Sequence, residues 1–217
     1  MQVDMIMSGY YDSNVYLINK KILVDAGMSS EQVLLKLGKL VPVSNIELII
    51  LTHGHYDHFG AATAIIQKSG AKVGISEAEA SALLSDKLSS ALNFGQRAKA
   101  PIPDILYQDG DQIPIGPNEN GEEECLKVIS TPGHTIGCIC LYEKNSQSLF
   151  SGDTVFSDGG IGRSDFENSV CEEMTASIQK LTQIPVQNLY PGHGAPTIKN
   201  ASQSIQLSYM MSSRMNP

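Results

Sequence analysis

The histidine segment, THGHYDH at residues 52–58, directly follows an apolar run of strand length at residues 46–51. It places three imidazoles and a carboxylate within six residues, at His53, His55, Asp57 and His58. Without a cation, so dense a group of titrating side chains would be repulsive. Imidazole and carboxylate together suit zinc or iron. Because the continuous apolar run predicts a strand buried on both faces, we expect a metal site just beyond the end of a buried strand.

The other two histidines of the chain occur in two similar turns. His134 lies in the sequence PGHT and His193 in the sequence PGHG, and each turn directly follows a predicted strand. Asp153 also comes just after a predicted strand, at residues 148–151. Layered α/β folds commonly place their sites at strand ends. The five histidines and two aspartates are therefore all predicted where such a site would form.

Hydrophobic periodicity predicts strands and helices in both halves of the chain. The predicted strands cover 13–18, 21–25, 46–51, 71–75, 105–107, 112–115, 124–130, 136–143, 148–151 and 187–190. The predicted helices run from 29 or 30 to 40, from about 58 to 69, over 77–85 and 171–182, and from about 201. No linker or repeat is visible, so we expect one α/β domain over 1–217. Periodicity alone fits either two packed sheets with outer helices or a three-layer doubly wound fold.

Composition limits the partners of the chain. Lys and Arg number 15 against 23 Asp and Glu, which gives a formal charge of −8. This balance argues against a nucleic-acid partner or an anionic membrane, although a local basic pocket is compatible with it. There is no apolar stretch of 18 residues, and Asp4 lies where a signal peptide would be basic, so a cytoplasmic location is expected. The four cysteines form no CxxC pair and are expected to be reduced core thiols.

In their order along the chain, the motif residues resemble the metallo-β-lactamase superfamily, and the resemblance covers nearly the whole sequence, including VDAG at 24–27. It implies a four-layer αββα sandwich with a two-metal site at one edge of the sheets. It also implies the ligands of each ion. One metal would be held by His53, His55 and His134, and the other by Asp57, His58 and His193, with Asp153 as the bridge.

Two further segments resemble the glyoxalase II-like (hydroxyacylglutathione hydrolase-like) and persulfide-dioxygenase-like branch. They are GHTIG at 133–137 and GRSDF at 162–166, with Cys138 where a serine is more usual. Other branches fit less well. Flavodiiron proteins carry Glu at the position of His55, and the commonest zinc β-lactamases have Cys near the position of Asp153. Superfamily nucleases usually add a domain or a basic exosite, against which the net charge argues.

This resemblance implies a dinuclear hydrolase that cleaves a small-molecule thioester or ester, such as an S-acylglutathione, by attack of a metal-bound hydroxide. Two divalent ions are expected, Zn²⁺ first, with Fe or Mn as alternatives. Asp57 is expected both to ligate and to orient the nucleophilic water. No sixth histidine remains as a general acid. This favours a leaving group that departs as an anion, as a thiolate does.

Two other activities stay open at this stage. The alternative reaction class is a mononuclear iron persulfide dioxygenase, and a lactonase or other ester hydrolase is a further alternative. The use of glutathione is also open. Full-length glyoxalase II enzymes contact it through basic residues of a C-terminal helical domain, whereas residues 194–217 contain only Lys199 and Arg214 as basic residues. The oligomeric state is left open too.

Three predictions concern residues around the metals. Arg163 is a candidate anchor for a substrate carboxylate, with a structural ion pair to Asp165 or Glu167 as the alternative. Asp25 is a candidate to orient a ligand histidine, with a turn-capping role as the alternative. Tyr10, Tyr11 and Asn14 are candidates for a loop that walls the site, with turn and packing roles as the favoured alternative.

Overall fold

A computed structural model describes residues 1–7, 11–118 and 120–215. Its internal contacts define two compact units, an N-terminal unit, Met1–Tyr107, and a C-terminal unit, Gln108–Pro217. Each unit contains one six-stranded sheet with both parallel and antiparallel pairs, together with helices. The α/β class is therefore confirmed. The expectation that residues 1–217 form a single domain stays a prediction.

The sheet of the N-terminal unit follows the order of the chain. Its strands are β1 (Val3–Met7), β2 (Asn14–Ile18), β3 (Ile22–Val24), β4 (Leu48–Ile50), β5 (Lys72–Ser76) and β6 (Ile105–Tyr107). The first three strands pair antiparallel, and β3 to β6 pair in parallel. Parallel strands β3 and β4 end at the same edge of the sheet. Asp25 and the histidine segment, which follow them in the sequence, are thereby brought together at that edge.

The α-helices in the described part of this unit are α1 (Ser30–Leu40), α2 (Tyr56–Phe59), α3 (Ala62–Ser69) and α4 (Ala80–Leu83). The expected helix over residues 58–69 is divided into α2 and α3. The reason is that the carbonyl oxygen of His58 accepts a hydrogen bond from Ala26 N at 2.7 Å, while Ala61 N donates to Gly27 O at 2.8 Å. These bonds fix the chain after β3 against the turn between the two helices. The expected helix end at residue 69 is confirmed, and Gly70 follows α3 as its C-cap with a left-handed φ of 74°.

The C-terminal unit has its own sheet, in the order β12-β11-β10-β9-β8-β7. These strands are β7 (Gln112–Pro117), β8 (Glu123–Ser130), β9 (Ile139–Glu143), β10 (Ser148–Gly152), β11 (Asn188–Pro191) and β12 (Thr197–Ile198). Its helices are α5 (Met174–Leu181) and α6 (Ser202–Met215). Strands β10 and β11 are parallel, with Gly152 opposite Pro191. Their carboxyl ends therefore place Asp153 and His193 at one edge.

Some sequence-based expectations differ from the structure. Strands β1 and β12 were not expected: β1 has only Ile6 buried, and β12 has two residues, so neither shows a clear alternation. The core-thiol expectation holds for Cys138 and Cys140, which are buried, but is wrong for Cys171, which is exposed. None of the four cysteines, all of which lie in the described ranges, forms a disulfide. None of the helices in the described ranges is long and apolar enough to cross a membrane.

Candidate metal centre

The histidine segment of the N-terminal unit begins just after β4 and continues into α2. His53, His55 and His58 are buried, and Asp57 is nearly so. The ring centroid of His53 lies 4.8 Å from that of His55 and 4.1 Å from that of His58. His58 Nε2 lies 3.8 Å from Asp57 Oδ2. The four predicted ligands of this unit therefore converge on one small region.

Asp25 orients one of these histidines. Its buried carboxylate accepts a hydrogen bond from His58 Nδ1 at 2.8 Å and another from Thr52 N at 2.8 Å. A carboxylate in this role only accepts, so Nδ1 of His58 carries the proton and its Nε2 keeps the lone pair that a metal needs. Asp25 has a positive φ of 58°. Asp25 therefore orients His58 rather than only capping a turn, and the role of His58 as a metal ligand stays a prediction.

Thr52 extends the same network to a second histidine. Its Oγ1 lies 2.9 Å from Asp25 Oδ2 and 3.1 Å from His53 Nδ1. A hydroxyl has one proton. Because that proton is donated to the carboxylate, the threonine oxygen accepts from Nδ1 of His53. His53 therefore also presents Nε2, and one carboxylate fixes the tautomers of two predicted ligands.

Glu79, which sequence reasoning missed, holds the turn between His53 and His55. This carboxylate is fully buried, and its Oε1 accepts a hydrogen bond from Gly54 N at 3.1 Å. A Cβ at position 54 would lie 3.0 Å from that Oε1 and 3.2 Å from Leu83 N. Glycine thus permits the approach of Glu79. No signal in the sequence marks this residue, because Glu79 lies in a predicted helix where an acidic residue is ordinarily exposed.

Gly54→Ala is therefore expected to weaken metal binding several-fold, because Glu79 or the turn must shift by a few tenths of an ångström. The matched control is Gly38→Ala, where an added Cβ meets nothing within 4 Å. In helix α1 that change should stabilise by about 0.5–1 kcal/mol. Chelator competition measures the metal affinity of both variants. Equal metal affinity in Gly54→Ala and wild type would show that the turn tolerates the methyl group.

The C-terminal unit contributes His134, Asp153 and His193. Asp153 Oδ2 lies 3.6 Å from His134 Nε2 and 3.5 Å from His193 Nε2. His134 Nδ1 donates to the carbonyl oxygen of Arg163 at 2.5 Å, so its Nε2 is again the nitrogen presented. Gly162 allows the chain just before Arg163 to lie against the backbone of Asp153, because a Cβ at position 162 would lie 1.9 Å from the carbonyl oxygen of Asp153.

These donor sets fit a divalent metal. Two ligands that each lie about 2.1 Å from a tetrahedral ion are about 3.4 Å apart. The nitrogen–oxygen separations of 3.5 and 3.6 Å in the C-terminal unit are close to this value. In His53, His58 and His134, Nδ1 forms a hydrogen bond within the protein, and Nε2 is the nitrogen that can donate its lone pair to a metal. The division of the seven residues between two ions stays a prediction.

Arg163 is exposed and forms the ion pair that was the alternative to substrate binding. Its Nε and one terminal nitrogen donate to the two carboxylate oxygens of Asp165 at 3.0 and 2.9 Å. The guanidinium also lies 4.7 Å from the ring centroid of Phe166. Arg163 lowers the pKa of Asp165 mainly through these hydrogen bonds. A role for Arg163 in binding substrate stays a prediction.

The loop expected to wall the site is described only in part. Tyr10 lies outside the described residues. Tyr11 is 77% exposed. Asn14 is buried on β2, where its Nδ2 donates to the hydroxyl of Tyr16 at 3.1 Å. For Asn14, the structure therefore supports a packing role within the sheet.

Comparison with known proteins gives the family. The profile of the metallo-β-lactamase superfamily matches residues 9–193. The crystal structure of BLEG-1, a B3 metallo-β-lactamase, superposes with a TM-score of 0.78 at 26% identity, covering 100% of both chains. This chain therefore belongs to the metallo-β-lactamase superfamily and has its fold, as the motif order predicted.

Two relatives match over most of their length. The probable metallo-hydrolase MJ0888 of Methanocaldococcus jannaschii is 33% identical over 197 residues, which cover 87% of this chain and 91% of the relative. The hydroxyacylglutathione hydrolase GloC of Haemophilus influenzae is 29% identical over 207 residues, covering 91% of this chain and 92% of the relative. The resemblance to the hydroxyacylglutathione hydrolase-like branch is thus supported by a relative that carries this name.

Proposed function

We propose that this chain is a metal-dependent hydrolase with a dinuclear site, and that its substrate is a thioester such as an S-acylglutathione. The observation that carries the proposal is the presence of all seven predicted ligands in a chain that is similar to GloC over 91% of its length. That similarity extends over 92% of GloC. It supports glutathione as the thiol carrier of the substrate.

In the proposed site, each ion has three ligands of its own, and Asp153 is shared. His53, His55 and His134 would hold one ion, and Asp57, His58 and His193 the other. The short separations between Asp153 Oδ2 and Nε2 of both His134 and His193 support this sharing, because these two histidines belong to different ions in the proposal. When bound, the two ions would polarise the thioester carbonyl and lower the pKa of a water.

Asp57 would act both as a metal ligand and as the group that orients the attacking water. Its Oδ2 lies 3.8 Å from His58 Nε2, so one oxygen is placed to ligate beside this imidazole. A carboxylate has a second oxygen and accepts hydrogen bonds through both. Asp57 would orient the attacking water through that second oxygen.

The kind of leaving group that the site can release depends on which side chains can donate a proton to it. The chain has five histidines, and all five belong to the proposed ligand set. No imidazole is then left to protonate a departing group. A thiolate, whose thiol has a pKa of about 8.5, departs without a proton, whereas an amide nitrogen does not. This difference favours thioesters over amides and lactams as substrates.

A combined metal and activity measurement tests the proposal. The metal-loaded protein is analysed for metals per chain and assayed with S-lactoylglutathione, whose thioester absorbance falls on hydrolysis. We expect two metals per chain, with Zn²⁺ first and Fe or Mn as the alternatives, together with hydrolysis. One iron per chain, with oxygen consumption on a persulfide, would instead establish the persulfide dioxygenase. Cleavage of lactones or oxygen esters alone would exclude the thioester specificity.

Arg163→Ala is expected to raise KM for an anionic thioester several-fold and to change kcat little, because only a carboxylate partner is removed. A neutral thioester of similar size should be unaffected. Asp165→Asn is the matched variant: it weakens the bidentate pair but keeps the guanidinium, so KM for the anionic thioester should stay equal or fall. Equal KM effects of Arg163→Ala on both thioesters, or none, would leave Arg163 as a structural ion-pair residue.

A further inference from the structure

A cavity of about 330 Å³ lies in the N-terminal unit, apart from the seven predicted ligands. Helix α3 lines it through Thr63 and Gln67, and the connection at residues 95–99 lines it through Gln96, Arg97 and Lys99. Tyr56, at the start of α2, and Ser30, at the start of α1, complete the polar part of the wall. Its volume is within the range of small-molecule sites, which begins near 300 Å³.

The charge of the wall is opposite to that of the chain. The sequence has 23 acidic and 15 basic residues, yet none of the ten residues that line the cavity is acidic and two are basic. Lys99 forms no ion pair with any carboxylate in the described ranges. The other polar wall groups are hydroxyls and side-chain amides, which can donate to an oxyanion. The wall therefore favours an anion.

The basic segment is held in place by bonds to other parts of the unit. Thr63 Oγ1 donates to the carbonyl oxygen of Lys99 at 2.9 Å, which ties the segment to α3. Asp86, outside the cavity wall, accepts from Ala98 N and from one terminal nitrogen of Arg97, both at 2.6 Å. Arg97 has five N–H donors, so this single bond leaves it donors for a ligand. A wall fixed in advance reduces the entropy lost on binding.

We propose that this cavity binds a small organic anion through a carboxylate or phosphate group, with Arg97 and Lys99 as its charged contacts. Guanidinium and ammonium groups form charge-assisted hydrogen bonds with both oxyanions. The same chemistry could come from a free anion or from the anionic end of the thioester carrier. This inference does not depend on the reaction catalysed at the metals.

Direct binding measurements test the site. Inorganic phosphate and succinate are titrated calorimetrically into the metal-loaded protein, and we expect saturable binding of at least one of them. The double variant Arg97→Gln/Lys99→Gln should weaken that binding about tenfold or more, because two charge-assisted contacts are lost. The matched control is Lys39→Gln/Lys72→Gln, which removes the same charge from exposed positions of the same unit outside the cavity wall.

Three outcomes would overturn the proposal. They are no saturable binding of either probe, an equal loss in the control variant, and full binding in the cavity variant, which would place the anion elsewhere, for example at the metals. Circular dichroism confirms that both double variants fold. If they do not, Gln67→Leu, which removes an uncharged donor on α3, should still weaken binding. Competition between the bound probe and an anionic thioester would identify the carrier as the source, and its absence would identify a free anion.

Discussion

Asp153→Ala is expected to remove most of the bound metal and to lower kcat/KM for the thioester by about a thousandfold or more. In the proposed site, Asp153 is the one carboxylate shared by both ions, and its Oδ2 lies within 3.6 Å of Nε2 of two histidines. Its loss would leave those histidines near cations whose charge is no longer neutralised. Both metal sites should therefore weaken together.

The measurement combines metals per chain with hydrolysis at saturating free metal. Asp111→Ala is the matched control, since it removes a carboxylate from an exposed turn of the same unit, where Asp111 accepts from Gln108 N. We expect full metal content and activity in this control. Two metals per chain and near-normal turnover in Asp153→Ala would show that the carboxylate does not bridge.

The predicted ligands could be found from the sequence because their signals are local. Four of them occupy residues 53–58, and a spacing of one or two residues is visible without any knowledge of the fold. His134, Asp153 and His193 each follow a strand end with a glycine nearby, which a strand prediction can detect. The resemblance to the superfamily added the division of these residues between two ions.

The sequence predicts the role of Asp25, but neither its partner His58 nor the contact of Glu79, because these contacts join distant parts of the chain. Glu79 is 25 positions from Gly54, and Asp25 is 33 positions from His58. No periodicity relates such pairs, since the register of β3, β4 and β5 determines which of their loops meet. The break between α2 and α3 has the same origin. It depends on bonds from Ala26 and Gly27 that helix propensity does not include.

Asp25→Asn is expected to lower metal affinity by about 10–100-fold, the usual cost of losing a partner that orients a ligand. Asparagine has nearly the same size and tolerates the positive φ of 58° at this position. Asp25→Asn therefore tests the loss of a hydrogen-bond acceptor and not a change in backbone conformation. An amide has one oxygen, so it cannot accept from Thr52 and His58 as the carboxylate does. His58 would lose the bond that fixes its tautomer, while Thr52 could still donate to the remaining oxygen.

Thr52→Val separates the two parts of this network. Valine removes the hydroxyl that donates to Asp25 and accepts from His53 Nδ1 but leaves the bond between Asp25 and His58, so a smaller loss of metal affinity is expected, and Thr52→Ser should restore it. If Asp25 acts partly through Thr52, the double variant Asp25→Asn/Thr52→Val should be little weaker than Asp25→Asn alone. Additive losses would mean that the two histidines are oriented independently.

Asp12→Asn is the control that distinguishes orientation from general stability. Asp12 is a buried carboxylate of the same unit and accepts hydrogen bonds from Met28 N and Ser29 N, at 2.5 and 3.1 Å, without contacting a predicted ligand through these bonds. Both Asp→Asn variants should lower the Tm of the metal-free protein. Only Asp25→Asn should also weaken metal binding in chelator competition. Equal metal affinity in the two variants would mean that Asp25 stabilises the loop after β3 and does not orient His58 for a metal.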